Sequence, residues 1–344
     1  MRPLKILFLS HSFTPAIGGI EASSELLARA FMQAGHTVIV LTMTSGEAKG
    51  LPFKVVRQPS QMAKTKYHAW ADLVYENNPC LRLGWPKLLF RKPSVVALHT
   101  WINQPDGSVS LADKLKLRWL ARAKKVIAVS EAVQQRCWPE AIIIGNSYDS
   151  KMFGHRAVER KKDFVFLGRL VSDKGVSLAI QAFGNMVFPA AISGLENATL
   201  TIIGDGPDRG QLEALAARFA EPSRIRFVGP LKGEVLVQEL NRHSFLFIPS
   251  IWEEPFGIVA LEGIACGLIP IASDGGGLPD AVGRAGVIFE RGQLASLIQV
   301  STGLLTSNEQ QHACLTAAPA HLEKFGMSKI VRAFIDVIES AAIA

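Results

Sequence analysis

Short β-rich apolar runs alternate with helix-like segments along the whole chain, and this alternation limits the fold more than any other feature. Because parallel neighbouring strands need a crossover segment between them, the pattern predicts an α/β fold of parallel sheets covered by helices. We expect two sets of strands, at 4–10, 36–42, 53–57, 94–99, 125–130 and 141–145, and at 163–168, 198–204, 224–229, 244–250, 269–273 and 286–290. Two sheets of similar size follow.

The chain of 344 residues has room for two domains. The charged segment 153–163 separates the two sets of strands and lacks helical or strand periodicity, so it is the best candidate for a linker. We therefore expect one domain at 1–156 and another at 157–327. The remaining segment, 328–344, predicts a helix with Ser328 as N-cap and with an apolar face of Ile330, Phe334, Val337, Ile338 and Ala341.

Charge is distributed unevenly between the two halves. Residues 1–160 contain 22 basic and 11 acidic residues, a net charge of +11, whereas residues 161–344 contain 15 and 19, a net charge of −4. The four cysteines are widely scattered, which is typical of reduced thiols in a cytosolic protein and not of a metal site. The apolar start is interrupted too early for a signal peptide, and no apolar run reaches the roughly 18 residues that span a bilayer.

The strongest chemical signal is the segment 249–267. Pro255 suits the first turn of a helix that runs from Phe256 until Gly267 stops it, and the free amides of its first turn would attract a phosphate. Glu254 precedes this helix and Glu262 lies eight positions later, roughly 12 Å along the axis. Two carboxylates beside a phosphate site suit the hydroxyls of a sugar nucleotide. An ordinary buried helix with acids at its N-terminus explains the segment equally well.

Four weaker signals follow other strands. Arg169 and Lys174 lie in a strand-to-helix loop, where they would neutralise a diphosphate or simply be solvated. Gly18 and Gly19 precede the first helix, where amides can approach an anion, although such turns are common in α/β folds. His99 ends a strand at the edge where ligands bind, but a lone histidine is more often structural. The segment 204–210 resembles a dinucleotide fingerprint whose third glycine comes one residue late.

These segments together resemble glycosyltransferase family 4. The resemblance rests on the order and spacing of GGIE (18–21), a His after a strand, VSEAV (129–133), GNSYDSKMF (145–153), GRLVSDKG (168–175), IIGDGPDRGQLE (202–213), RFVG (226–229) and EEPFGIVALEGIACGLIPIASDGGGLPD (253–280). It covers most of residues 6–282 and is weakest over 45–92. It implies the GT-B fold, with two Rossmann-like domains whose parallel sheets face each other across a cleft. It also implies that the last helix returns to the N-terminal domain.

The resemblance implies a retaining enzyme that needs no metal and no resident cofactor. Its co-substrate would be a nucleoside-diphosphate sugar, bound mainly by the second domain. The implied roles place Gly18, Gly19, Arg169 and Lys174 at the donor phosphates, His99 and Glu254 at the donor sugar, the amides of Gly257, Ile258 and Val259 near the sugar and phosphates, Glu262 at the ribose, and the backbone of Leu231 at the base.

The basic first half would then be the acceptor side. A glycan or lipid-linked acceptor is expected, in the synthesis of cell-surface polysaccharide, lipopolysaccharide or glycolipid. Basic residues interleaved with apolar ones suit a peripheral contact with an anionic membrane at its cytoplasmic face, namely Lys64, Lys66, Arg82, Lys87, Arg91 and Lys92 with Trp70, Tyr75, Trp85 and Leu88. A basic surface with no dedicated partner is the alternative.

Other functional classes fit less well. A dehydrogenase needs a Rossmann fingerprint and an acid that ends the second strand, but HTVIVLT ends in Thr. A nucleic-acid binder is opposed by the acidic second half and by the absence of a recognised binding module. A GT-B epimerase or hydrolase that acts on its nucleotide sugar remains an alternative, as does a non-catalytic nucleotide-binding α/β protein.

Overall fold

The computed structural model describes residues 2–16, 19–48, 50–103, 109–186, 198–219 and 221–343. Its contacts divide the chain into two compact units, residues 1–146 with 328–344 and residues 147–327. The division falls ten residues before the expected boundary at 156, because the expected linker is bound to the second unit. The amide of Arg156 donates to Asn241 Oδ1 at 2.8 Å. The guanidinium of Arg160 donates to the carbonyl groups of Cys266 and Gly267 at 2.6 and 2.9 Å.

The first unit contains one parallel sheet. Its strands are β1 (Lys5–Ser10), β2 (Thr37–Thr42), β3 (Lys54–Arg57), β4 (Leu73–Asn77), β5 (Ser94–Leu98), β6 (Lys125–Ala128) and β7 (Ile142–Ile143), in the spatial order β3-β2-β1-β4-β5-β6-β7. The helices between them are α1 (Gly19–Gln33), α2 (Gln61–Trp70), α3 (Leu81–Gly84), α4 (Lys87–Phe90), α5 (Leu111–Leu120) and α6 (Glu131–Cys137).

The second unit contains another parallel sheet. Its strands are β8 (Phe164–Leu167), β9 (Leu200–Ile203), β10 (Ile225–Gly229), β11 (Phe245–Ile248), β12 (Ile269–Ser273) and β13 (Val287–Phe289), in the spatial order β10-β9-β8-β11-β12-β13. Its helices are α7 (Val176–Asn185), α8 (Arg209–Ala216), α9 (Gly233–Asn241), α10 (Ile258–Ala265), α11 (Leu278–Val282), α12 (Leu294–Thr306) and α13 (Asn308–Lys324), and the chain ends with α14 (Met327–Ile343). The predicted α/β class with two parallel sheets is confirmed.

Strand β4 is the element that the sequence pattern missed. All five of its residues are buried, and it pairs with β1 and β5 at the centre of the first sheet. Its sequence, LVYEN, ends in polar residues and so lacks the apolar run that marks the other strands. The strand is stable in the core because its glutamate is fully paired there.

The carboxylate of Glu76 is surrounded by hydrogen-bond donors. Lys87 Nζ lies 2.5 Å from Oε1, Trp119 Nε1 lies 3.0 and 2.8 Å from the two oxygens, and the amide of Cys80 lies 2.9 Å from Oε2. Glu76 and Lys87 are both buried. Lys64 and Tyr75 are buried as well, so these two and Lys87 do not form the basic, aromatic surface that the sequence suggested.

Helix α14 packs within the first unit. The apolar face predicted for it is buried, and the ring of Phe334 lies 6.3 Å from that of Tyr75 on β4. The helix begins at Met327, so the prediction that Ser328 is its N-cap is wrong. No helix in the described residues is long and apolar enough to cross a membrane.

The paired charges beneath β4 lead to a stability prediction. Lys87→Ala leaves the carboxylate of Glu76 buried without its cation, and we expect the free energy of unfolding to fall by about 3–5 kcal/mol. Urea unfolding followed by circular dichroism measures the loss. Arg332→Ala, which breaks the exposed ion pair with Asp336 on α14, is the matched control and should shift the midpoint far less. Equal shifts in the two variants would contradict the prediction.

Candidate functional site

The strand order reverses direction between β8 and β11 in the second sheet. Strands β9 and β10 follow on one side of β8, whereas β12 and β13 follow on the other side of β11. Ligands of open parallel sheets bind at such a reversal, beyond the carboxyl ends of the strands. The loops 168–175 and 249–257 leave β8 and β11 at this point, and they carry four of the predicted site residues, Arg169, Lys174, Glu254 and Gly257. The first sheet reverses in the same way between β1 and β4.

The two loops of the second unit are locked together by backbone contacts. The carbonyl oxygen of Asp173 accepts hydrogen bonds from the amides of Ile251 and Trp252, at 2.9 and 3.1 Å. Gly175 has a φ of +66°, and a Cβ there would lie 1.8 Å from the carbonyl oxygen of Pro249. Only glycine fits this position, so the glycine after Lys174 serves to bring the two loops into contact.

This contact brings Lys174 and Glu254 together. Lys174 Nζ donates to Glu254 Oε1, and Ser250 Oγ donates to the same oxygen at 2.9 Å. The side chains of Lys174 and Glu254 are 24% and 13% exposed, so both remain accessible to a ligand. Ser273 Oγ at the end of β12 donates to the carbonyl oxygen of Ser250 at 2.8 Å, which fixes the serine beneath the pair.

The backbone of Glu254 is held by the loop after β12. Its carbonyl oxygen accepts from the amide of Gly277 at 2.7 Å. Gly276 has a φ of +63°, and a Cβ there would lie 2.1 Å from that carbonyl oxygen. The carboxylate therefore extends from a segment that is fixed on both sides.

Helix α10 begins two residues later than the sequence predicted. Gly257 is its N-cap with a φ of 106°, and a Cβ there would lie 2.5 Å from the Leu278 side chain. Pro255 and Phe256 precede the helix, so the prediction that Pro255 occupies its first turn is wrong. The amides of Ile258 and Val259 lie in the first turn, where the helix dipole is positive and no intrahelical acceptor is available.

Glu262 lies further along α10 in a different environment. Burial raises the pKa of its carboxyl group to about 7, and the negative charge of Asp149 contributes to the increase. Burial therefore favours the protonated form of the carboxyl group. A ligand whose hydroxyl group donated a hydrogen bond to Glu262 would favour the ionised form of this carboxyl group.

In the first unit, His99 directly follows β5 and is buried. Its amide donates to Asn78 Oδ1 at 2.8 Å. Burial lowers the pKa of the imidazole to about 4, although a hydrogen bond with Asn146 acts in the opposite direction. Nε2 is buried and has no hydrogen-bond partner among the described residues.

The remaining predicted site residues that the structure describes lie at exposed or half-buried positions. Arg169 is exposed in the same loop as Lys174, and Leu231 is half-buried between β10 and α9. Gly19 is the first residue of α1, and a Cβ there would meet no atom within 4 Å, so the space beside this helix end is open. Gly18 lies outside the described residues.

Two of the three glycines in the segment 204–210, Gly204 and Gly206, allow close backbone packing. A Cβ on Gly204 would lie 1.8 Å from the carbonyl oxygen of Gly168, and one on Gly206 would lie 2.3 Å from that of Leu170. Both glycines let the loop after β9 approach the loop after β8. The likeness to a dinucleotide fingerprint therefore has a structural explanation.

No pattern in the sequence marks Ser250, Ser273, Asn78 or Asn146 as site residues. Ser250 was visible only as the end of a predicted strand, and a serine at that place carries no pattern that names its acceptor. Within the described residues, no group of three or more His, Cys, Asp or Glu side chains is arranged to hold a metal ion. The four cysteines are buried and unpaired.

Both units match known protein families. Residues 147–328, more than half of the chain, match the family Glycosyl transferases group 1, and residues 17–139 match Glycosyltransferase Family 4. The chain is a family 4 glycosyltransferase. The expected enzyme class is thereby confirmed, and the two Rossmann-like units are those of the GT-B fold.

Several characterised proteins are similar to this glycosyltransferase. The gpi3 subunit of phosphatidylinositol N-acetylglucosaminyltransferase from Schizosaccharomyces pombe is 22% identical, over 87% of this chain and 72% of the yeast protein. The GDP-mannose-dependent monoacylated alpha-(1-6)-phosphatidylinositol monomannoside mannosyltransferase of Corynebacterium glutamicum is 24% identical, over 93% of both chains. Glycogen synthase of Mycobacterium tuberculosis is 34% identical, over 74% of this chain and 64% of the synthase.

Solved structures show the same fold. Anabaena Alr3699/HepE in complex with UDP has a TM-score of 0.83 and 20% identity, and the match covers 98% of this glycosyltransferase and all of that chain. WaaG, a glycosyltransferase involved in lipopolysaccharide biosynthesis, has a TM-score of 0.66 and 17% identity, over 97% and 99% of the two chains.

The raised pKa of Glu262 predicts how stability depends on pH. An acid whose pKa is higher in the folded chain destabilises it, and for Glu262 this penalty is absent below about pH 4.5, grows as the pH rises and is complete above about pH 7. Glu262→Gln should therefore raise the free energy of unfolding at pH 8 by roughly 2–3 kcal/mol more than at pH 4.5. Denaturant unfolding at both pH values measures the difference. Glu323→Gln, at an exposed carboxylate on α13, is the control, and the same pH dependence in both variants would refute the assignment.

Proposed function

We propose that the protein is a retaining, metal-independent glycosyltransferase that moves a sugar from a nucleoside-diphosphate sugar to a glycan or lipid-linked acceptor. The observation that carries the proposal is the contact between Lys174 and Glu254 at the strand reversal, beside the N-terminus of α10. A cation for phosphate, a carboxylate for sugar hydroxyls and free helix amides are all present in one unit.

Local positive charge binds the diphosphate, although residues 161–344 carry a net negative charge. Lys174, with Arg169 from the same loop, neutralises the phosphates, and the amides of Ile258 and Val259 donate hydrogen bonds to them. Glu262 accepts hydrogen bonds from the ribose hydroxyls, and the backbone of Leu231 contacts the base. These groups stabilise the charge that develops on the leaving nucleoside diphosphate.

The donor sugar is held by Glu254 and His99. Because Ser250 and Lys174 both donate to Oε1 of Glu254, the other oxygen is left to accept a sugar hydroxyl. The low pKa of His99 keeps the imidazole neutral, so it can share a hydrogen bond with another hydroxyl without adding charge. Neither residue needs to act as a nucleophile or a base.

Transfer proceeds on one face of the sugar. The bond between the anomeric carbon and the phosphate oxygen breaks, and the acceptor hydroxyl oxygen forms its bond to the same face of that carbon. An oxygen of the departing diphosphate takes the hydroxyl proton. The configuration of the anomeric carbon is thereby retained.

The relatives support a nucleotide-sugar donor and a lipid-linked acceptor. HepE is described in complexes with UDP and with UDP-glucose, and one relative is named as GDP-mannose-dependent. Two relatives are named for reactions on phosphatidylinositol or its monomannoside. We therefore place the reaction in glycolipid or cell-surface polysaccharide synthesis, at the cytoplasmic face of a membrane.

A panel of nucleotide sugars tests the proposal. A donor that binds the folded chain should raise its unfolding temperature, and transfer from that donor to lipid extracts or glycans should give an α- or β-anomer that matches the donor by NMR. Inversion of the anomeric carbon would refute the retaining mechanism. Incubation without acceptor separates the alternative, because an epimerase or hydrolase would change the donor by itself.

Two substitutions should separate binding from transfer. Glu262→Ala removes the hydrogen bonds to the ribose and should weaken nucleotide binding about 10- to 100-fold with little change in kcat. Arg169→Ala removes charge stabilisation of the leaving group and should also lower kcat by about 100-fold. Steady-state kinetics and calorimetry with the nucleotide measure both effects. Arg218→Ala and Glu323→Ala, at exposed positions, serve as controls, and near-normal turnover in both site variants would refute the assignment.

Chelation tests the second part of the proposal. Because Lys174, Arg169 and the helix amides neutralise the diphosphate, EDTA should leave the rate of transfer unchanged, and added Mg²⁺ or Mn²⁺ should not increase it. The measurement is the initial rate of nucleoside-diphosphate release after dialysis against EDTA. Loss of activity that either metal restores would show that the reaction depends on a cation.

A further inference from the structure

Large apolar side chains are exposed on three neighbouring stretches of the first unit. These are α2, the α3–α4 segment and α5, and we call their outer face the α2–α5 surface. The most exposed members are Met62 at 82%, Leu89 at 64% and Leu111 at 75%. The others are Trp85, Leu88 and Leu115.

The stretches are neighbours in the structure. Trp85 Nε1 donates to Gln61 Oε1 at 3.2 Å, which joins the α3–α4 segment to α2. A Cβ on Gly84 would lie 2.9 Å from the ring of Trp119, which places α3 directly against α5. The three stretches that carry the exposed apolar residues are therefore adjacent.

The buried charge of β4 fixes the geometry of this face. Lys87 from α4 and Trp119 from α5 both donate to the carboxylate of Glu76, and Lys87 Nζ lies 4.0 Å from the centre of the Trp119 ring. Because both helices are bound to one carboxylate, their outer side chains keep a fixed spacing. The surface is thus formed before any partner arrives.

The charge of the surface has one sign. Exposed basic residues lie among the apolar ones, namely Lys66, Arg82, Arg91, Lys114 and Arg118. The only acid in the ranges 61–70, 81–91 and 111–120 is Asp113, which is buried and bound to Ser110 and Lys116. The α2–α5 surface therefore exposes cations and apolar groups but no carboxylate.

We propose that the α2–α5 surface docks on a bilayer that contains anionic phospholipids. Phosphate headgroups pair with the lysines and arginines, while leucine and methionine side chains enter the apolar region below them. The indole of Trp85 suits the boundary between the two. Nucleic acid offers anions but no apolar medium for the exposed leucines. The inference rests on the proposed function and adds that the enzyme meets a lipid-linked acceptor at this face.

Vesicle flotation with the full chain tests the proposal. Wild-type protein should float with vesicles of phosphatidylcholine and phosphatidylserine, less with phosphatidylcholine alone, and less at high salt. Arg82→Glu with Arg118→Glu should weaken the partition at least about tenfold, since each basic residue near an anionic surface contributes about 1 kcal/mol, or roughly fivefold. Lys329→Glu with Arg218→Glu makes the same change of charge elsewhere and should weaken it much less.

The apolar contribution is tested separately. Leu88→Ser with Leu89→Ser should also reduce flotation, and Val235→Ser with Leu315→Ser, at exposed positions of the second unit, should not. Binding of the nucleotide sugar and the unfolding temperature are measured for every variant. Variants that no longer float but still bind the nucleotide sugar support the docking surface. If the proposed function is wrong, the wild-type protein itself will not bind a nucleotide sugar.

Three results would overturn the inference. One is a wild-type chain that does not float with anionic vesicles at low salt. Another is equal flotation of the surface variants and their controls. The third is a wild-type dimer, seen by light scattering, that the leucine variant converts to a monomer, because the surface would then bind a second copy of the chain.

Discussion

The reversal of strand order between β8 and β11 is the constraint on which the candidate site depends. Parallel strands end at one edge of their sheet, and the reversal leaves the loops of these two strands side by side. Lys174 and Glu254 are 80 residues apart in the chain, yet they meet because each follows one of these strands. Gly175 and Gly276 then allow the backbones to approach as closely as this contact requires.

The two glutamates of the site differ in electrostatics although they lie on the same segment. Glu254 has a cation and a hydroxyl on one oxygen, so its side chain is held in a fixed orientation. The carboxyl group of Glu262 is buried near Asp149. Burial, with a contribution from the charge of Asp149, raises its pKa to about 7. A carboxyl group in that state gains most from a ligand that brings its own hydrogen-bond donors, as the hydroxyls of a ribose would.

Apolar periodicity was sufficient to predict twelve of the strands and the class of the fold, because burial on both faces leaves a continuous run of branched residues. It failed at β4, since Glu76 is buried there only by virtue of distant donors such as Lys87 and Trp119, and Asn77 is bound there through its hydrogen bond to Ser24 Oγ. The spacing of motifs pointed to Lys174 and Glu254, but not to Ser250, because no local pattern specifies a hydrogen bond across a loop. The start of α10 was misplaced for a similar reason, since the left-handed Gly257 ends the loop at a place where the distant Leu278 side chain leaves no room for a Cβ.

Helix α14 has a consequence for the order in which the protein is assembled. The first unit includes residues 328–344, which are synthesised after the whole of the second unit. On the ribosome the second unit therefore has its complete sequence while the first still exposes the apolar surface around Tyr75 that Phe334 later covers. The first unit can therefore complete its contacts only after the whole second unit has been synthesised, because the contact between Tyr75 and Phe334 spans 259 residues.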